Sequence, residues 1–263
     1  MGAAIGHCLA SRGHRVVWAS ENRSEATRQR AAAFEDFGSL ARALAASDAA
    51  LSICAPSGAL ALARQVASQG YQGIYIDANA ISPAHSRDIG CVMKTVGARF
   101  VDGGIIGLPP APDRLARLYL CGPDAPSIAA LFTGSQTEAI VIDRPVGAAS
   151  ALKMCYAACN KGETALLGII RALARHEGVD ETLLKEWDHS QPGVAQRSDN
   201  IARRAWKAWR WVGEMEEIAA SFDDAHLPSG FLANAEIYRR LADYKNSQEL
   251  PSSEEVSARL RQN

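Results

Sequence analysis

VGAASALKMCYAACNKGETALLGIIRALARHEG, residues 146–178, contains no proline, repeats its apolar residues at intervals of three and four, and has a basic end followed by Gly178. The pattern predicts one long helix. Its first half is almost wholly apolar or small, with Lys153 as the exception, flanked by Leu152 and Met154 and one turn from Ala149 and Tyr156. Burying an ammonium is costly unless it is paired or neutralised, so a lysine here needs a physical reason. One reason is snorkelling, in which the head reaches water past its own stem. The other is chemical: partial desolvation lowers a lysine's pKa towards the range useful for general acid/base work. The small residues around Lys153 also let a backbone or a ligand approach. Lys153 is therefore the first candidate catalytic residue.

Before this helix the chain alternates. Met1–Arg12 reads as a helix ended by Gly13, and Arg15–Ala19 as an apolar strand followed by the polar turn Ser20–Ser24 and a second helix through Ala33. Ala49–Cys54, Gly73–Asp77 and Arg99–Asp102 read as further strands, separated by helices over Gly58–Gln69 and Pro83–Gly97. Short apolar strands alternating with helices indicate a parallel sheet buried on both faces, an α/β doubly wound, Rossmann-like arrangement. Arg117–Cys121 and Glu138–Ile142 add two strands around a helix near Ser127–Leu131, and everything beyond Val146 reads as helical, with breaks near Gly178, Pro192, Pro228 and Pro251. The expected organisation is a sheet domain over 1–145 and an all-helical domain over 146–263. The polar segment Asn246–Asn263 reads as a loosely held tail.

The bulk composition is that of a folded globular protein, 48% hydrophobic and 22% charged over 263 residues. A formal net charge of -1 gives no electrostatic case for nucleic acid. No apolar run approaches the ~18 residues of a membrane span, and no signal peptide is evident, so a cytoplasmic protein is expected. The six cysteines keep no CxxC or metal spacing and read as small core residues in a reducing compartment; no metal site is expected.

Ligands of open parallel sheets bind beyond the carboxyl ends of the strands. The turn Ser20–Ser24 is where the ribose of an adenine dinucleotide would be read, and Arg23 with Ser24 favours a 2'-phosphate, hence NADP, because a guanidinium offers two parallel donors. Glu21 keeps NAD open. Ala55-Pro56-Ser57 and Asn79–Pro83 follow the next two strands at the same end, which makes Ala55, Pro56 and Asn79 candidate cofactor contacts. The G-x-G-x-x-G loop that receives a pyrophosphate is mostly absent. If Gly2 is its third glycine, roughly ten residues carrying the first strand and two glycines are missing from the usual layout. The loss would leave two sheet edges unpaired. Either the true start lies upstream, or the protein is damaged as an enzyme.

Taken in order, MGAAIGHCLASRGHRV, SICAPS, YIDANAISP, FVDGGIIGLPP, GAASALKMCYAACNKG and WRWVGEMEEIAASF resemble the 3-hydroxyacid dehydrogenase and 6-phosphogluconate dehydrogenase-like superfamily, and within it the members with an uncharacterised helical C-terminal domain. The resemblance implies that Lys153 acts in proton transfer at a substrate hydroxyl while hydride passes to the nicotinamide. It places Gly103, Gly104, Ile106 and Gly107 near substrate. Two departures matter: the asparagine usual one turn after the lysine is Ala157 here, with Asn160 as a possible replacement, and Ile106 stands where a serine is usual. Both imply a different or bulkier substrate. The imine reductases share this fold, so reduction of a C=N bond stays open.

The expected function is thus an NADP-dependent oxidoreductase acting at a C-OH/C=O centre, with the C-terminal helices completing the pocket and forming a homodimer. The competing reading is a helical dimer whose remnant sheet domain no longer binds nucleotide. Arg203, Arg204, Lys207 and Arg210 interleave with Trp206, Trp209 and Trp211; at helical spacing Ala205, Trp209 and Val212 form an apolar stripe, and the basic residues read as a solvated face.

Overall fold

A computed structural model describes residues 1–262. The chain divides into two compact units, Met1–Lys153 and the remainder from Met154. The division falls inside the long helix, eight residues later than residue 145.

The first unit opens with α1 (Gly2–Ala10), β1 (Val17–Trp18), α2 (Glu25–Arg30), β2 (Glu35–Asp36) and α3 (Leu40–Ala45). It continues with β3 (Ala49–Ser52), α4 (Ala59–Ser68), β4 (Ile74–Asp77), α5 (Pro83–Thr95), β5 (Arg99–Ile106), β6 (Ala116–Cys121), α6 (Ala125–Ala130) and β7 (Thr137–Val141). The helices start where the sequence supplies a cap: Ser24, Ser39 and Ser82 each accept a hydrogen bond from the backbone N–H three residues on.

β3 to β7 form one sheet in sequential order, and β1 pairs in parallel only with β2. Among the described residues the outer edges of β1 and β3 have no strand partner. β3, β4 and β5 pair in parallel as expected, and β6, for which the sequence set no direction, runs antiparallel to β5. The segment 107–115 between them carries no crossover helix, and parallel neighbours need a connection of roughly a dozen residues or more. The sheet is mixed, and it is wound on both faces. Ile74 and Ile76 of β4 pack with Ile5, Cys8, Ile128 and Phe132, while Tyr75 between them packs with Ala63, Val66, Ile89 and Met93. α1 serves both sheets. Ile5 and Cys8 enter the larger core, and Gly6 lies where a Cβ would stand 2.9 Å from the Phe34 ring.

The long helix is α7 (Ala148–His176), as its periodicity predicts. α8 (Asp180–Ser190), α9 (Val194–Ser198), α10 (Asn200–Arg204), α11 (Ala208–Asp224), α12 (Phe231–Arg240) and α13 (Ser253–Leu260) follow. Trp211, Met215 and Ile218 form the buried face of α11, and Tyr238 of α12 meets Trp211 edge-on at 5.1 Å. The stripe expected through Trp209 is displaced, since Trp209 is 38% exposed. The segment read as a loose tail is ordered: α13 has a Ser252/Glu255 capping box and buries Val256 and Leu260. Asn263 lies outside the described residues. Of the cysteines only Cys8 and Cys121 are buried, and Cys91, Cys155 and Cys159 are exposed. Among the described residues no helix is long and apolar enough to cross a membrane.

Candidate functional site

The register Ser52↔Asp77↔Asp102 aligns three buried polar residues across β3, β4 and β5. An unpaired charge in such a place would be expensive, and the surrounding donors explain how the carboxylates are held. Asp102 accepts from the backbone N–H groups of Gly147 at 2.9 Å, Ala149 at 3.0 Å and Ser150 at 3.2 Å, from the Ser150 hydroxyl at 2.6 Å, and from the Cys121 thiol at 3.1 Å. It caps the first turn of α7 from a neighbouring strand, so the positive end of that helix dipole meets a carboxylate. The same cap fixes where Lys153 stands. Its Nζ donates to Ile105 O at 2.8 Å, and the side chain is half-buried. The amine thus turns onto β5.

Gly104 makes that approach possible. A Cβ there would lie 2.6 Å from Ala149 O and 3.1 Å from Lys153 Cβ. Gly103 sits similarly against Asp77 O and Ala78, and Ile106 is buried in the strand. Of the four positions expected near substrate, only Gly107 is exposed, with φ of 117°.

Asn79 ties together the ends of β3 and β4. Its Oδ1 accepts from Cys54 N at 2.5 Å, and its Nδ2 donates to Ser52 Oγ and Asp77 Oδ2, each at 2.8 Å. Burial raises the Asp77 carboxyl to about 6, against the Asn79 hydrogen bonds that lower it, and the charge of Asp102 raises it further. Burial also pushes the Cys54 thiol up, while the charge of Arg23 pulls it down. Arg23, after β1, thus lies within electrostatic reach of the loop after β3. Ala55 is exposed there, and Pro56 begins a single 3-10 turn.

These residues fit an adenine dinucleotide phosphate. α1 begins at Gly2 with no side-chain cap and no acidic residue in its first turn, and a helix start of this kind favours an anion. Arg23 is exposed beside the capped start of α2, and among the described residues its guanidinium has no partner. At the other end, Asn160 is exposed on α7, two turns beyond Lys153, and its Oδ1 accepts from Arg204 Nη1 at 3.4 Å. Ala157 is buried. Ser52, Asp77 and Asp102 escaped the sequence reading. The available signal was an acidic residue closing an apolar strand in both YIDANA and FVDGG.

Residues 174–241 match a family described only as a domain of unknown function, DUF1932. Among curated proteins none matches the chain in sequence. The fold recurs in solved structures. The conserved protein MTH1747, of unknown function and described as structurally similar to 3-hydroxyacid dehydrogenases, is 25% identical over 92% of this chain and 93% of its own, with a TM-score of 0.67. 3-Hydroxyisobutyrate dehydrogenase of Mycobacterium tuberculosis, solved with L-serine, is 17% identical over 100% of this chain and 96% of its own, TM-score 0.69. The reductive aminase of Aspergillus terreus, in complex with NADPH4, cyclohexanone and allyl amine, is 16% identical over 99% and 94%, TM-score 0.56. The chain has the Rossmann-like fold of the 3-hydroxyacid dehydrogenases, followed by a helical C-terminal region.

Proposed function

We propose that the protein is an NADP-dependent oxidoreductase acting on a hydroxy acid or a related C-OH/C=O substrate, with Lys153 as its acid/base. The observation that carries this reading is the placement of Lys153: an amine on the second turn of α7, half-buried and held 2.8 Å from Ile105 O. Lys153 moves the proton at the substrate oxygen, where a positioned general acid or base contributes about 10²–10⁴-fold. The nicotinamide, when bound, exchanges hydride with the substrate carbon. Arg23 and Ser24 hold the 2'-phosphate, Gly2 at the start of α1 faces the pyrophosphate, and Ala55, Pro56 and Asn79 line the cofactor's path along the strand ends. Gly107 and Asn160 contact substrate; Gly103, Gly104 and Ile106 shape the strand from beneath. The fold shared with 3-hydroxyisobutyrate dehydrogenase and with a reductive aminase supports redox chemistry at C–O and keeps C=N as the alternative bond.

The protein acts as a homodimer through its C-terminal helices. Leu166, Ile169 and Leu173 recur on one exposed face of α7, which supports a covering partner. Six cysteines, none in a disulfide, support a reducing, cytoplasmic setting.

A second reading is a non-catalytic dimeric remnant. NADPH titration followed by nucleotide fluorescence separates the two. Micromolar binding, together with NADP⁺ reduction on a panel of hydroxy acids bulkier than 3-hydroxyisobutyrate that Lys153→Ala abolishes while NADPH still binds, is the expected result. Absence of nucleotide binding establishes the remnant, and full turnover by Lys153→Ala removes the lysine from the chemistry.

A further inference from the structure

Where β3 and β4 end, their ladder is continued by a side chain. Ala78 N donates to Ser52 O at 3.0 Å, and two residues beyond Ser52 the Cys54 N–H donates to Asn79 Oδ1. Asn79 is 2% exposed. Both protons of its amide are used, on Ser52 Oγ and on Asp77 Oδ2, while its own backbone N–H donates to Asp77 Oδ1 at 3.0 Å. This network admits one orientation of the amide. An ionised Asp77 only accepts and the Cys54 N–H only donates, so turning the amide over would set oxygen against carboxylate and nitrogen against N–H.

Asn79 lines the cofactor's path, yet an amide spent in this way has no donor left for the nucleotide. Its effect falls on the chain it holds. Cys54 leads directly into Ala55 and the single turn Pro56–Gly58, which is closed by a local bond from Gly58 N to Ala55 O at 2.9 Å, and α4 then starts without a side-chain cap. We propose that Asn79 is a positioning residue for nucleotide binding, its buried amide oriented by Asp77 and setting the course of residues 54–57 along the cofactor. The role rests on the reading above, in which Ala55 and Pro56 meet the nucleotide. Because this loop follows β3, whereas Arg23 follows β1, Asn79 serves NADPH and NADH alike.

The full chain is titrated with NADPH and with NADH by nucleotide fluorescence, and amide hydrogen exchange over residues 53–57 is followed by mass spectrometry. Asn79→Ala removes the acceptor of the Cys54 N–H; exchange there is expected to quicken about tenfold, and both nucleotides to weaken by a similar factor. Asn79→Asp keeps an acceptor for Cys54 but sets a second carboxylate against Asp77. Two carboxylates in one site raise one pKa strongly, so at low pH the pair shares a proton, which replaces the Nδ2 donor. The other ionisable groups acting on Asp77 or its neighbours are Asp102 on β5, His85 on α5, Tyr75 on β4, and Cys54 with Arg23. Measured against the wild type at the same pH, which cancels the titration of the nucleotide's own phosphate, Asn79→Asp should bind about tenfold weaker at pH ~8 and equally at pH ~5.5. Should Asn79→Ala fail to fold by circular dichroism, Asn79→Asp carries the test. A purely structural Asn79 lowers the melting temperature and leaves the affinity of the folded protein unchanged. That result, exchange over 53–57 at the wild-type rate, or an Asn79→Asp to wild-type ratio that does not move with pH overturns the positioning role alone. If the wild type binds neither nucleotide, the functional reading falls and the positioning role falls with it.

Discussion

Replacing Gly104 by alanine tests the contact that positions Lys153. The new Cβ would lie 2.6 Å from Ala149 O, about 1 Å short of an ordinary heavy-atom contact near ~3.5 Å. Its neighbour is helix backbone, not the end of a flexible side chain, and Asp102 pins that backbone through the N–H groups of Gly147, Ala149 and Ser150. The first turn of α7 must lift off β5, carrying Lys153 away from Ile105 O. Overpacking of a close contact costs typically about 1–3 kcal/mol, which for a unit of this size lowers the melting temperature by roughly 2–12 °C. A displacement near 1 Å at a reacting group costs on the order of 10²-fold in rate. Thermal unfolding followed by circular dichroism measures the first effect, and turnover the second. Gly213→Ala, within α11, is the control, since a Cβ there would meet nothing within 4 Å. If Gly104→Ala melts with the wild type and keeps its turnover, α7 is not seated on β5 in the way described.

Asp102→Ala strips the acceptor from three backbone N–H groups and the Ser150 hydroxyl; at about 1–3 kcal/mol for each donor left unsatisfied, urea unfolding should show a loss of several kcal/mol, and a loss below ~1 kcal/mol refutes the cap. The Asp77 carboxyl has a pKa of about 6 in the fold against ~3.9 unfolded, so the folded state holds the proton more tightly. Its contribution is therefore present below pH ~4 and lost as pH rises through about 6, an amount on the order of 3 kcal/mol. Urea unfolding at a series of pH values should show this decline in the wild type and a flatter profile in Asp77→Asn; equal slopes would disprove it. Lys161→Met leaves the Glu214 carboxylate, 12% exposed, without its partner and should cost about 3–5 kcal/mol, whereas Lys161→Met with Glu214→Leu should recover most of that stability in the same assay. Arg23→Ala should weaken NADPH at least tenfold and leave NADH unchanged in fluorescence titrations; equal weakening of both would remove Arg23 from phosphate recognition.

Much of this architecture is local and therefore readable from the chain. The unbroken three-and-four periodicity of residues 148–176, the serine caps at 24, 39 and 82, and the glycines that end helices act within a few residues of themselves, so the α/β alternation and the helical second half follow from sequence. Lys153 stands out in the sequence for the same reason, since a lone cation in a small, apolar helical stretch needs a cause wherever the helix lies, whereas its contact with Ile105 O is a matter of tertiary structure. What the strands do across the sheet is different. The antiparallel turn of β6 depends on how short the return from β5 is in space, and the stripe of α11 rotated onto Trp211 because Tyr238, distant in sequence, packs there. Neither is encoded in a local period. The alignment of Ser52, Asp77 and Asp102 is likewise a matter of register between three strands, and register is set by long-range packing. The linear pattern identified the amine, and only tertiary structure supplied the buried carboxylate that holds its helix in place, because a buried charge finds its donors from distant parts of the chain.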